Sequence, residues 1–177
     1  MGKKNRKLHN RSDNGKLLHT KVDQVDYLLH NLKHNPHSRR HITTLWNPDD
    51  LDDMSLTPCV YLTQWHVKDN KLHLVVHIRS NDMALGNPYN VFQYNVLQRM
   101  IAQVTGYELG EYIINIGDAH IYTKHVDKLK EQINRTEYPA PKLWINPKIT
   151  NFYDFTIDDF KLIDYKHGDF IKYDVAI

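Results

Sequence analysis

At 177 residues, with 41% hydrophobic and 25% charged side chains, the chain reads as one globular domain, or a large part of one, with enough apolar material for a core. Its single cysteine allows no internal disulfide, which points to a reducing, cytoplasmic setting. No apolar run approaches the roughly 20 residues that span a bilayer, and the N-terminus lacks the apolar core of a secretory signal. The net charge of +2 is unevenly spread: residues 1–21 carry Lys3, Lys4, Arg6, Lys7, Arg11, Lys16 and Lys21 against Asp13 alone, a local +6. That arm has no interleaved aromatics on which bases would stack. A solvated, loop-like segment over residues 1–20 is therefore expected rather than a nucleic-acid grip.

From Lys21 onward Val22, Val25, Leu28, Leu29 and Leu32 recur at helical spacing, and Asn35-Pro36 ends that helix. His41 to Trp46 reads as a short strand closed by Asn47-Pro48 and an acidic turn. A strand from Cys59 to about Val67 follows, and Asp69-Asn70-Lys71 makes a hairpin turn. In the next strand Leu72, Leu74, Val76 and Ile78 face one way, and His73, Val75, His77 and Arg79 the other. Residues 81–90 are irregular and rich in turn formers. Val91 to Thr105 is the most apolar helix, expected at the centre of the core through Val91, Phe92, Val96, Leu97, Met100, Ile101 and Val104. Glu111–Ile116 is a strand, Ile121–Arg135 a helix, and Leu143–Ile145 and Phe160–Tyr165 are further strands. Strands and helices mix without strict alternation, so the expected class is α+β, a mixed sheet packed with helices over residues 21–177.

Four groups carry chemistry. Cys59 lies between Pro58 and a strand, which would hold its sulfur in a set direction, although a lone cysteine commonly packs as a small apolar residue. Ser38-Arg39-Arg40 suits an anion, because guanidinium forks pair with phosphate oxygens; a solvated turn accounts for the same pair. Arg79-Ser80-Asn81-Asp82 runs from a strand into a loop, with turn and capping roles as the rival account of Ser80 and Asp82. In Gly117-Asp118-Ala119-His120-Ile121-Tyr122, Asp118 suits a helix cap, and His120 and Tyr122 suit hydrogen bonds to a sugar. There is no glycine-rich phosphate loop and no zinc-ligand spacing, so no metal is expected. The residues by themselves suggest covalent catalysis on a phosphorylated small molecule.

The ordered set Ser38-Arg39-Arg40, Trp46-Asn47-Pro48, Pro58-Cys59, Arg79-Ser80-Asn81-Asp82, Leu85-Gly86-Asn87-Pro88-Tyr89-Asn90, Gly117 to Tyr122 and the terminal Val175-Ala176-Ile177 resembles the thymidylate synthases. The resemblance runs from about Lys21 to the last residue. It implies reductive methylation of dUMP to dTMP with 5,10-methylenetetrahydrofolate as carbon donor and reductant, in a homodimer. Cys59 would be the nucleophile that adds to C6 of the uracil, with a nearby arginine favouring its thiolate. Arg79 and Ser80 match phosphate contacts, and Arg39 and Arg40 match arginines that reach the partner subunit's phosphate site. Asn90 matches the reader of the pyrimidine edge; an aspartate stands there in the related deoxycytidylate hydroxymethylases. His120 and Tyr122 match the pair that bonds the deoxyribose 3′-hydroxyl. Asp82 matches a position at both the dUMP and the folate, Gly86 matches a folate-contacting position, and Ala176 lies in the segment that folds over the folate.

The chain departs from the family pattern at Val60, where a histidine is common, and at Ile78, where a glutamine is common. Roughly the first third of family chains has no counterpart here. The expected fold is thus an N-terminally truncated form of the family's, with a separate N-terminal fragment as a further partner for activity. The rival readings are an inactive remnant that binds nucleotide or RNA through the basic arm, and a deoxycytidylate hydroxymethylase.

Overall fold

The computed structural model describes residues 6–11 and 17–175. In chain order its elements are β1 (Arg6–Arg11), β2 (Leu17–Val22), α1 (Gln24–His34), β3 (Ile42–Thr44), β4 (Val60–Lys68), β5 (Lys71–Ile78), β6 (Asn81–Asp82), α2 (Gly86–Thr105), β7 (Glu108–Ile116), β8 (Ala119–His120), α3 (Val126–Ile133), β9 (Lys142–Ile145) and β10 (Phe160–Ile163). A six-residue 3₁₀ segment, Pro48–Asp53, precedes β4. Where sequence composition suggests a single domain, the chain divides into two compact units. One runs to Ile78 and resumes over Tyr107–Asn115; the other takes Arg79–Gly106 and Ile116 onward. No helix of the described residues is long and apolar enough to cross a membrane.

The first unit is built on a four-stranded sheet in the order β3-β4-β5-β7. Its β4–β5 hairpin turns at Asp69 and Asn70, whose φ values of 50° and 58° are those of a type I′ turn, matched to the twist of the strands. Strict alternation then decides which face of β5 is buried. Leu72, Leu74, Val76 and Ile78 are almost inaccessible, while His73, Val75 and His77 face the other way and stay half-buried. On β4 the buried Trp65 donates its indole N–H to Thr63 Oγ1 at 2.9 Å, and Thr63 shares a hydroxyl hydrogen bond with Thr43 of β3. Helix α1 starts at Asp23, whose carboxylate accepts the N–H groups of Val25 and Asp26, and it buries Leu28 and Leu32. Tyr107 donates to the Leu32 carbonyl at 2.7 Å, so the approach to β7 satisfies a group in the last turn of that helix. At Gly110 of β7 an added Cβ would lie 2.8 Å from the His73 ring, which would have to shift to admit it.

Strands β1 and β2 pair antiparallel, Arg6 with Val22 through Arg11 with Leu17, where polarity alone predicts a loop over residues 1–20. These stretches show no apolar alternation in the sequence that would signal such a pairing. The predicted turn at Ser12 to Gly15 lies outside the described residues.

The second unit centres on the 20-residue α2, which ends at Gly106. That glycine takes φ +82°, open to it for lack of a Cβ, and donates to the Ala102 carbonyl at 2.9 Å. The helix begins five residues earlier than its apolar run predicts. Pro88 falls in the first turn, where a missing N–H costs nothing, so Gly86-Asn87-Pro88 opens a helix instead of breaking one. The buried stripe runs through Tyr94, Gln98, Ile101, Ala102 and Val104, whereas Val91 and Phe92, predicted core residues, lie exposed beyond its upper end. The helix predicted over 121–135 is shorter, being a 3₁₀ turn at Thr123–His125 and then α3. Gln103 of α2 donates to the carbonyls of Asn146 and Ile149 at 2.9 and 2.8 Å, which fastens the β9–β10 connection to the helix.

Candidate active site

In the second unit the two predicted polar loops are drawn together by a pair of two-residue strands that the sequence did not reveal. Strand β6 pairs parallel with β8, Asn81 opposite Ala119 and Asp82 opposite His120. Asn81 N–H donates to the Asp118 carbonyl at 2.8 Å, Met83 N–H to His120 at 2.9 Å, and Asp118 N–H to Arg79 at 3.2 Å. The Arg79-Ser80-Asn81-Asp82 motif thereby lies alongside Gly117-Asp118-Ala119-His120. Two loops distant in sequence become one site.

Beside the paired strands runs a relay of side-chain amides. Asn90 Nδ2 donates to Asn81 Oδ1 at 3.1 Å, and Asn81 Nδ2 donates to Asn87 Oδ1 at 2.9 Å. Asn81 is 1% exposed. Its orientation follows from the network, and it fixes which atom of the Asn90 amide faces inward. Gly86 closes the relay, because a Cβ there would lie 3.3 Å from Asn81 Oδ1. Asp82 is partly committed already: its Oδ1 accepts from Ala84 and Leu85 N–H at 2.9 and 3.3 Å, shaping the turn into α2.

On the β8 side, His120 Nδ1 pairs with Asp118 Oδ2 at 3.1 Å, and its ring meets Tyr122 edge-on with centroids 5.0 Å apart. Asp118 therefore orients a histidine and caps no helix. The carboxylate settles which imidazole nitrogen carries hydrogen, leaving the opposite nitrogen for a ligand hydroxyl.

In the first unit Cys59 is free and partly accessible, immediately ahead of the buried Val60 that opens β4. A β-bulge follows at once: Val60 pairs with Ile78 and Leu62 with His77, so Tyr61 is left over. Arg39 and Arg40 are exposed, Arg40 N–H donating to Ser38 Oγ at 3.2 Å. They line a cavity of about 490 Å³ together with Gln24, Tyr27, Ile42 and Leu62. Each unit thus carries its own share of the predicted residues: Cys59, Arg39 and Arg40 in one; Arg79, Ser80, Asp82, Gly86, Asn90, His120 and Tyr122 in the other. Ala176 lies outside the described residues. Sequence reasoning gave no role to Asn81 or Asn87. Both stood in quoted motifs, but nothing in their spacing says that one of them is buried.

A family model described as thymidylate synthase matches residues 2–177. The chain is 72% identical over all 177 residues to a thymidylate synthase of Bacillus licheniformis, of which it covers 60%, and 71% identical to thymidylate synthase 1 of Bacillus subtilis strain 168, again covering 60%. Among solved structures, the thermostable thymidylate synthase A from Bacillus subtilis superposes with a TM-score of 0.85 over 96% of this chain, at 72% identity. The chain spans 60% of that structure's length. An amide relay under Asn90, a carboxylate-held His120 and a family match over nearly every residue agree: the chain belongs to the thymidylate synthase family.

Proposed function

We propose that this chain carries out, or contributes the greater part of the machinery for, the reductive methylation of dUMP to dTMP with 5,10-methylenetetrahydrofolate, as a cytoplasmic homodimer. The observation that carries the reading is the pairing of β6 with β8, which sets the Asn90 amide relay beside His120 and its carboxylate partner. One group is suited to a pyrimidine edge, the other to a sugar hydroxyl. Asn90 presents an amide able to donate to a uracil carbonyl and accept from its ring N–H, which an aspartate could not do for uracil. Arg79 and Ser80 bind the phosphate, and Arg39 and Arg40 are offered to the partner copy's phosphate. Asp82 and Gly86 face the folate, and Ala176 belongs to the segment that covers it.

Cys59 is the nucleophile. Its thiolate would add to C6 of dUMP, and the electron pair released at C5 would form the bond to the folate methylene as one of that carbon's two C–N bonds breaks. Loss of the C5 proton frees the methylene from the folate nitrogen. The folate would supply the hydride that turns that carbon into methyl, becoming dihydrofolate, and Cys59 would leave C6 as its thiolate. In support, Cys59 is a free, partly accessible thiol immediately ahead of the strand β4.

The test is trapping with 5-fluoro-dUMP, whose C5 cannot lose its substituent as a proton. With methylenetetrahydrofolate present, the intact mass of the protein rises by nucleotide plus folate, and the Cys59→Ala variant shows no increase. Because the chain spans 60% of its relatives' length, the trial is run with and without a polypeptide that supplies the remainder. A folded sample that forms no adduct in either case refutes the reading.

A further inference from the structure

Residues 124–135 grip the last described stretch of chain through side chains that donate to main-chain carbonyls. Lys124 Nζ donates to Val175 O at 3.0 Å, Lys128 Nζ to Lys172 O at 2.6 Å, and Arg135 to Asp169 O. Tyr173 returns a bond from its hydroxyl to Gln132 Oε1 at 2.8 Å. These are exposed contacts, and each adds little in water. His125 is different. It is 1% exposed, and its Nε2 bonds the Asp174 carbonyl at 2.8 Å. A carbonyl only accepts, so Nε2 carries the hydrogen.

The rest of the ring is dry. Nδ1 is buried and meets no hydrogen-bonding partner among the described residues. The imidazole is edged by Tyr122 at 5.7 Å and by Tyr173 at 5.2 Å, both at 77°. A leucine would fill such a space without stranding a nitrogen. What the histidine adds is one N–H aimed at the backbone of residue 174. Tyr122 also meets His120, so a continuous row of rings, His120–Tyr122–His125–Tyr173, joins the sugar-side residues to the C-terminal segment.

We propose that His125 is a positioning residue whose Nε2–H fixes the main chain at Asp174 and so sets where the C-terminal segment lies relative to Tyr122. Its bearing on the reaction rests on the function proposed above; the anchoring does not. In the 177-residue chain, His125→Gln places an amide N–H where Nε2 lies, whereas His125→Asn falls one methylene short. Carboxypeptidase release of the C-terminal residues, and amide exchange at Asp174 and Val175, are expected to match the parent in His125→Gln. In His125→Asn both run roughly tenfold faster, the factor for one lost buried hydrogen bond. Thermal midpoints recorded alongside separate local loosening from global unfolding. If the two variants behave alike, both slow or both fast, or if their order is reversed, the proposal falls. In fluoro-dUMP trapping, His125→Asn slows formation of the folate-containing adduct and leaves dUMP binding unchanged. Should the parent form no adduct, the enzymatic reading fails while the exchange comparison still decides the anchor.

Discussion

Asn90 touches the pyrimidine in the proposed mechanism, and Asn81 is one of the groups that hold its amide. A side-chain amide has two faces of opposite hydrogen-bonding character, and a free one samples both. Here one N–H of Asn90 is committed to Asn81, and Asn81 is itself held by Asn87 and packed at 1% exposure. Under the proposed function, discrimination of uracil would then depend in part on the buried Asn81. Asn81→Ala removes one donor and one acceptor from the relay and strands the groups that used them, at a cost of about 1–3 kcal/mol of stability. The same change removes one of the bonds that orient the Asn90 amide. The urea midpoint is expected to fall accordingly, and dUMP binding to weaken by about tenfold or more. Unchanged dUMP affinity in a folded Asn81→Ala protein would show that the Asn90 amide is held without Asn81.

At the level of elements, short pieces of structure position the site and hydrogen-bonded turns hold them. Strands β6 and β8 are two residues each, too brief to leave any alternation in the sequence, which is why their pairing was not legible there. The β5 strand, with its eight alternating residues, is legible in the sequence down to its buried face. Asp159 does for the β9–β10 connection what Asn81 does for the site. One of its oxygens accepts from Asn146 Nδ2 at 2.7 Å and the other from the N–H and hydroxyl of Thr156, both at 2.9 Å. Those bonds, the Asn146 amide foremost, hold its carboxyl below the ordinary carboxylate range. The folded form therefore binds its proton less readily than the unfolded chain. The resulting stabilisation is complete above the unfolded carboxyl's pKa of about 3.9 and is lost as pH falls through the lower folded value. Asp159→Asn turns one acceptor into a donor whichever way the amide sits. The variant's urea midpoint should lie below the parent's by a constant amount from neutral pH down to about pH 5, and the two should converge below about pH 4. A gap that persists undiminished in acid would assign the loss to packing rather than charge.

For the whole molecule, what the sequence revealed and what it concealed have a common cause. Helical and alternating periodicities report burial against neighbours in the chain's own layers, so α1, β4, β5 and the body of α2 could be located. Motif order carried the family. Periodicity is silent on whether an apolar face is covered, and the core expected at Val91 and Phe92 is exposed, Phe92 by 49%. The first unit likewise leaves Ile42, Leu109 and Ile113 accessible. Exposed large apolar side chains in both units, on a chain whose formal net charge is only +2, favour association over dispersal. Burying apolar surface is insensitive to screening, unlike attraction through the basic arm, which weakens within a Debye length of about 10 Å at 0.1 M salt. The two causes separate on that ground. In sedimentation at about 10 µM protein, a concentration suited to micromolar affinities, the chain is expected to run heavier than its 21.0 kDa. Raising the salt to about 1 M should leave the species unchanged or strengthen it. Dissociation in salt would locate the contact in the charged N-terminal arm, and a 21.0 kDa species throughout would mean that these apolar faces do not drive association.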